Sequence, residues 1–175
     1  RMVGVPPSSR PYLFQSALRP AGSLYENIER PHATSATVSA GTSGTLRLFA
    51  IDLPSGLTVT TISFMSGATA LGVGSNQWFG IFTSARVRLE VTADDGATAW
   101  AASTVKTLTL ANPVVTTYAG LYYLGVLVVA TTMPTHTGVT VATSVSGLAP
   151  IMAGNSNAGL TNPASCPATA AAISA

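Results

Sequence analysis

Apolar residues in this chain come in short runs with a two-residue period, each closed within a few positions by Gly, Pro, Asn or a Ser/Thr cluster. That period places alternate side chains on opposite faces of an extended strand, whereas a helix needs apolar residues three and four apart over several turns. No stretch offers a convincing helical pattern, so antiparallel β-structure with short connections is expected. Residues 45–53 alternate, with Leu46, Leu48, Ala50 and Asp52 on one face and Arg47, Phe49, Ile51 and Leu53 on the other. Pro54-Ser55-Gly56 then supplies a turn, because proline presets one dihedral and glycine accepts a positive one. Further strands are expected at 57–65, 77–83 and 86–92; in the last, Val87, Leu89 and Val91 oppose Arg86, Arg88 and Glu90, the pattern of a half-buried strand. Shorter strands are expected at 105–110 and 114–117 with a break at Asn112-Pro113, after an irregular or briefly helical turn at 98–103 that carries Trp100.

Residues 121–130 differ from the rest in being apolar on both faces. Such a strand belongs in the middle of a sheet, covered by the opposite sheet on one side and by a loop or partner on the other, with Gly125 open to an approaching ring or backbone. Leu121, Tyr122, Tyr123, Leu124, Val126 and Val128 are therefore the candidate interface residues. With strands at 139–143 and 148–152 the set reaches seven to nine, and the expected fold is an all-β antiparallel sandwich or jelly roll with extended N- and C-terminal arms.

The organisation read from the sequence is an arm over residues 1–34, a sandwich domain over 35–150 and a tail over 151–175 packed on the domain or on a neighbour. The first arm is rich in Pro and Arg, with at most one helical turn near 23–28. Only 8% of the chain is charged, against about 25% in ordinary soluble domains, and 47% is hydrophobic. A surface so poor in charge suits a molecule whose faces are covered by copies of itself or by other proteins. The formal charge of +2 contains no block that could track a phosphate backbone, which argues against nucleic acid. The apolar run at 121–130 is about half the length of a membrane-crossing helix, and the aromatics do not form the two girdles of a membrane barrel. No apolar stretch of signal-peptide type follows Arg1, and a chain opening on that residue reads as processed or excised.

The inventory for chemistry is thin. Cys166 is the single cysteine, so an internal disulfide is excluded and a partly buried, inert thiol is expected. His32 and His136 are the only bases for neutral pH; neither adjoins a nucleophile elbow or an acidic orienter, and His136, in Pro134-Thr135-His136-Thr137-Gly138, reads as a solvated or interface residue of a loop. Asp52, Glu90, Asp94 and Asp95 are too scattered for a glycosidase pair. Asp94 and Asp95 are the weak metal candidates, since adjacent carboxylates at an Asp-Asp-Gly turn could offer oxygens to Ca²⁺, but no ligand pattern surrounds them. No cofactor is implied. Trp78 and Trp100 could contact a glycan by stacking, although aromatics on strands are more often core. Arg86 and Arg88 beside Glu90 read as a solvated edge or an intersubunit ion pair.

An ordered series of phrases adds to this reading: Gly44-Thr45-Leu46-Arg47-Leu48, Leu53-Pro54-Ser55-Gly56-Leu57-Thr58-Val59-Thr60, Ile62-Ser63-Phe64, Gly67-Ala68-Thr69-Ala70, Gln77-Trp78-Phe79, Thr92-Ala93-Asp94-Asp95, Ala99-Trp100-Ala101 and Gly120-Leu121-Tyr122-Tyr123. Together they resemble the β-rich domains of minor tail and fibre-like virion structural proteins of tailed phages that infect actinobacteria, over residues 30–135. The resemblance implies a non-enzymatic virion subunit of tail, fibre or baseplate type, a symmetric homo-oligomer with a trimer as the expected symmetry. It also implies contact with other virion proteins through the N-terminal arm, and contact with the host surface or a glycan on it. Where the family would place a more polar turn, this chain has Thr83-Ser84-Ala85. The alternatives are a capsid decoration or head-fibre protein and, from another class, a carbohydrate-binding module.

Overall fold

The structure is a computed structural model and describes residues 25–27, 35–38, 41–138, 153–156 and 165–169. Among these it contains nine strands and no helix: β1 (Ser35–Val38), β2 (Leu46–Leu53), β3 (Thr58–Met65), β4 (Gly74–Thr83), β5 (Arg88–Val91), β6 (Val105–Val115), β7 (Gly120–Ala130), β8 (His136–Gly138) and β9 (Ala153–Ser156). The pairs β4–β5, β3–β6 and β2–β7 are nested and antiparallel, so the chain from β2 to β7 is one long ribbon folded at the turn before β5. The ribbon is rolled until β4 also meets β7, which gives a five-stranded sheet β5-β4-β7-β2-β9 facing the β3–β6 pair. This is jelly-roll topology, and the expected all-β sandwich is what the chain forms. An isolated bridge from Ser66 to His136 continues the second layer into the β1–β8 pair, and another from Thr92 to Leu110 joins the two layers along one edge.

The alternation within β2, β4 and β7 builds two apolar layers. Ile51, Leu53, Phe79, Ile81, Tyr122, Val126 and Val128 point inward and meet Ile62, Leu110 and Trp100 from the second layer and its loops. Leu46, Leu48, Ala50, Trp78, Phe82, Tyr123 and Leu127 point the other way and form a second buried cluster joined by Cys166 of the C-terminal segment. Gly125 lies in this outer layer, where a Cβ would stand 2.6 Å from the Phe82 ring. The ring therefore fills the space that the missing side chain leaves.

Three sequence expectations are corrected. The strand pair broken at Asn112-Pro113 is one strand, β6, because the four residues 110–113 lie between the pairs Thr61–Thr109 and Val59–Val114, opposite the single residue Thr60. A bulge absorbs the proline without a ladder bond at that point. The strand at 86–92 begins only at Arg88, since Arg86 adopts φ 64° in a turn closed by Arg86 N–H to the Thr83 carbonyl. A register shift between the pairs Ile81–Glu90 and Phe82–Arg88 leaves Leu89 unpaired and breaks the alternation of this edge strand, so Val87 and Leu89 are 47% and 42% exposed while Val91 packs on the outer layer. Residues 136–138, expected as a loop, form β8. Of the helical turn expected near 23–28, residues 25–27 are described and carry no helix, while the strands expected at 139–143 and 148–152 lie outside the described residues. In the tail, β9 pairs with β2, and the Arg88 N–H donates to the Ala168 carbonyl next to a bridge between Val87 and Thr169.

Candidate interaction surface

The Asp-Asp-Gly turn is committed to holding its own loop. Asp94 accepts from the Gln77 N–H at 2.8 Å, the Gly96 N–H at 2.9 Å and Asn76 Nδ2 at 2.5 Å. Burial opposes ionisation there, but these three donors outweigh it and hold the carboxyl below its ordinary range. Asp95 is paired with Lys106, whose buried ammonium donates to Asp95 Oδ2 at 2.5 Å, Gln77 Oε1 at 2.8 Å and the Thr98 carbonyl at 3.1 Å. All three ammonium protons are thus used, with the Trp100 ring 5.8 Å away as a further support. The cluster clasps the 94–100 loop to β4 and β6. No group of three or more His, Cys, Asp or Glu side chains able to hold a metal occurs among the described residues.

The aromatic and interface candidates are corrected by their burial. Trp78 and Trp100 are 5% and 2% exposed, one in each apolar layer, so neither offers a ring face to a sugar. Tyr122, Val126 and Val128 belong to the inner core and Tyr123 to the outer cluster, with Leu121 and Leu124 half-buried against those layers. Strand 121–130 is apolar on both sides because it lies between β2 and β4 at the centre of the five-stranded sheet, and its side chains are spent within the chain. His136 is also not a loop residue in solvent. It is buried on β8, with its ring 5.6 Å from Phe49 and Trp100 and 6.0 Å from Phe64. Its Nδ1 has no hydrogen-bond partner, and burial first, then Arg47, push its pKa down to about 4 against a bond to the Met65 carbonyl. His32 lies outside the described residues.

Cys166 is the inert thiol that its sequence context suggests: it is 3% exposed, and burial drives its pKa up to about 11 although Arg88 opposes the rise. The Arg88 guanidinium donates to the Cys166 carbonyl, fastening the segment to β5. Because reaction requires the thiolate, while a thiolate of higher pKa is the stronger nucleophile, the raised pKa alone predicts labelling by a disulfide reagent about 10-fold slower in the native protein than in urea. Equal rates in the two conditions would show that the segment does not stay on the sheet.

The outer side of the β3–β6 pair is an exposed face without any recognisable sequence motif. On β3, Thr58, Thr60, Thr61, Ser63 and Met65 are exposed, and on β6 so are Val105, Thr107, Thr109, Ala111 and Val115. Their register places Met65 beside Val105, Ser63 beside Thr107, Thr61 beside Thr109 and Thr58 beside Val115. The Ser63 and Thr107 hydroxyls are 2.7 Å apart. Lys106 is the only Lys, Arg, Asp or Glu on β1, β3, β6 or β8, and its ammonium points inward, so the outer face of the second layer carries no charge among the described residues. Arg47, Asp52, Arg88 and Glu90 all lie on the five-stranded sheet. The signal was present in the sequence as Thr and Ser at alternate positions on strands whose other face is apolar.

Fold and surface together define a jelly-roll sandwich with two buried layers and one uncharged hydroxyl-rich face. No protein family matches the chain, and neither a curated protein nor a solved structure does.

Proposed function

We propose that this chain is a structural subunit of a phage virion, of tail, fibre or baseplate type, which works by assembling with copies of itself and not by catalysis. The observation that carries assembly is the uncharged outer face of the β3–β6 layer, with Met65, Val105 and Val115 exposed on it. A face without charge avoids the largest desolvation penalty, its hydroxyls can hydrogen-bond across to a partner's, and its three large apolar side chains favour covering it. Placement in a virion, contact with other virion proteins through the N-terminal arm and contact with the host surface rest on the resemblance over residues 30–135. A capsid decoration or head-fibre protein draws on the same observation. A carbohydrate-binding module loses its support with the burial of both tryptophans.

Static light scattering of the full chain over a concentration series tests assembly. A mass above the 17.7 kDa of one chain is expected, and a single-chain mass up to roughly millimolar concentration, the weak end of specific association, would overturn the reading. Immunogold labelling with an antibody to the chain tests the location, with decoration of one structure on phage particles as the expected result.

A further inference from the structure

At its start, the edge of β5 that faces away from β4 is covered by residues 165–169, and the attachment is slight. Val87 forms an isolated bridge with Thr169, and the Arg88 N–H donates to the Ala168 carbonyl at 2.8 Å. The guanidinium of the same arginine donates to the Cys166 carbonyl, so Arg88 grips the segment on both sides of Pro167. Of the five residues only Cys166 is buried in the outer layer; Ser165, Ala168 and Thr169 are exposed and Pro167 is half-buried. Against these few contacts stands the chain entropy of ordering five residues, which is of the same order as what they supply. The β4–β7 and β2–β7 ladders make no use of the segment, so losing it leaves them paired.

We infer that residues 165–169 are a latch that opens while the sandwich stays folded, with Arg88 as its catch. Closed, the latch holds the Arg88 N–H and hides the Cys166 thiol. Open, it bares both the thiol and the edge at Val87 and Arg88. An unpaired strand edge is a template for pairing with other chains, and sheets that stay separate keep such edges covered. The latch therefore decides when this end of the five-stranded sheet is withheld, and the catch sets how often.

Labelling of Cys166 by a disulfide reagent in the full chain, beside urea unfolding followed by tryptophan fluorescence, tests this. Local opening exposes little surface, so below the unfolding transition the labelling rate is expected to change less than about 2-fold per molar urea, whereas labelling through global unfolding would rise at least about 5-fold per molar. Arg88→Ala is expected to speed native labelling about 10-fold, the loss of one charged hydrogen bond, with the fluorescence midpoint unchanged. Arg88 lowers the Cys166 pKa, so its removal leaves the thiol less ionised, and faster labelling then reports opening and not ionisation. If the variant does not fold, the wild-type Arg88 amide decides: its hydrogen exchange should be insensitive to urea where that of the β7 amides is not. Three results would overturn the latch. They are wild-type labelling that follows global unfolding, an Arg88 amide that exchanges only together with β7, and an Arg88→Ala chain that labels no faster than the loss of its sandwich stability accounts for.

Discussion

Lowering the pH from 7 to 4 is expected to remove about 3 kcal/mol of folding stability through His136 alone. The imidazole is 3% exposed among Phe49, Phe64 and Trp100, and its pKa falls from 6.5 in the unfolded chain to about 4 in the fold. The charged group that faces it is positive, Arg47 on β2. Protonation would therefore add a second cation to an apolar site. The native state binds fewer protons than the unfolded chain between these two pKa values, so stability is complete above about pH 6.5 and falls as pH drops towards 4. Every tenfold loss of proton affinity on folding corresponds to about 1.4 kcal/mol. Glu90, held low chiefly by Asn112, and Asp94, held low by its amide donors, add destabilisation of the same sign at more acid pH. Urea unfolding at pH 7, 5.5 and 4 measures the slope. His136→Phe keeps a ring among rings, leaves the Met65 carbonyl without its donor at about 1 kcal/mol, and should flatten the curve between pH 6.5 and 4. A slope that survives in this variant would assign the linkage to other groups.

The same histidine marks the limit of what the sequence discloses. Its neighbours Pro134, Thr135, Thr137 and Gly138 are loop formers, and nothing local shows that β8 is drawn onto the end of β3 by the Ser66–His136 bridge. Strand 121–130 is legible as central because both of its faces are apolar, but not what covers them: the outer layer is shared with β2, β4 and Cys166, which come from distant parts of the chain. The pairing of β5 is hidden in the same way: the sequence alternates, but a register shift at Leu89 against β4 interrupts the alternation, exposing Val87 and Leu89 and leaving Val91 on the outer layer. Asn112-Pro113 reads as a stop since proline has no N–H, and the bulge that accommodates it depends on where β3 places its partners. The β3–β6 face is inconspicuous in the sequence for a different reason. Thr and Ser on alternate positions are the ordinary composition of a solvated sheet face, and its significance comes from the position of every charged strand residue except inward-pointing Lys106 on the other sheet.

Gly125→Ala is expected to cost about 3 kcal/mol, more than any single surface change in this fold. Gly125 is buried at the centre of β7, paired with Leu48 on β2 and Gly80 on β4, so the backbone cannot move away from a new side chain without breaking two ladders. The added methyl would stand 2.6 Å from Cε2 of Phe82, 3.1 Å from Leu46 Cδ1 and 3.2 Å from Leu48 Cδ2. Phe82, Leu46 and Leu48 are each fully buried, so the ring has no free space to turn into and the leucines cannot both yield. Overpacking of a filled core costs roughly 1–3 kcal/mol, and a clash with a ring held on both sides belongs at the upper end. The β-propensity of Ala over Gly offsets only a fraction of it. Phe82→Leu removes the obstructing ring and itself leaves a cavity, at about 1–2 kcal/mol. If the ring is the obstacle, Gly125→Ala in the Phe82→Leu background should cost less than about 1 kcal/mol, a coupling of about 2 kcal/mol in a double-mutant cycle by denaturant unfolding. Additive costs would instead place the constraint in the β2–β7–β4 backbone. The cycle thus measures whether the glycine is there for the ring or for the ladder.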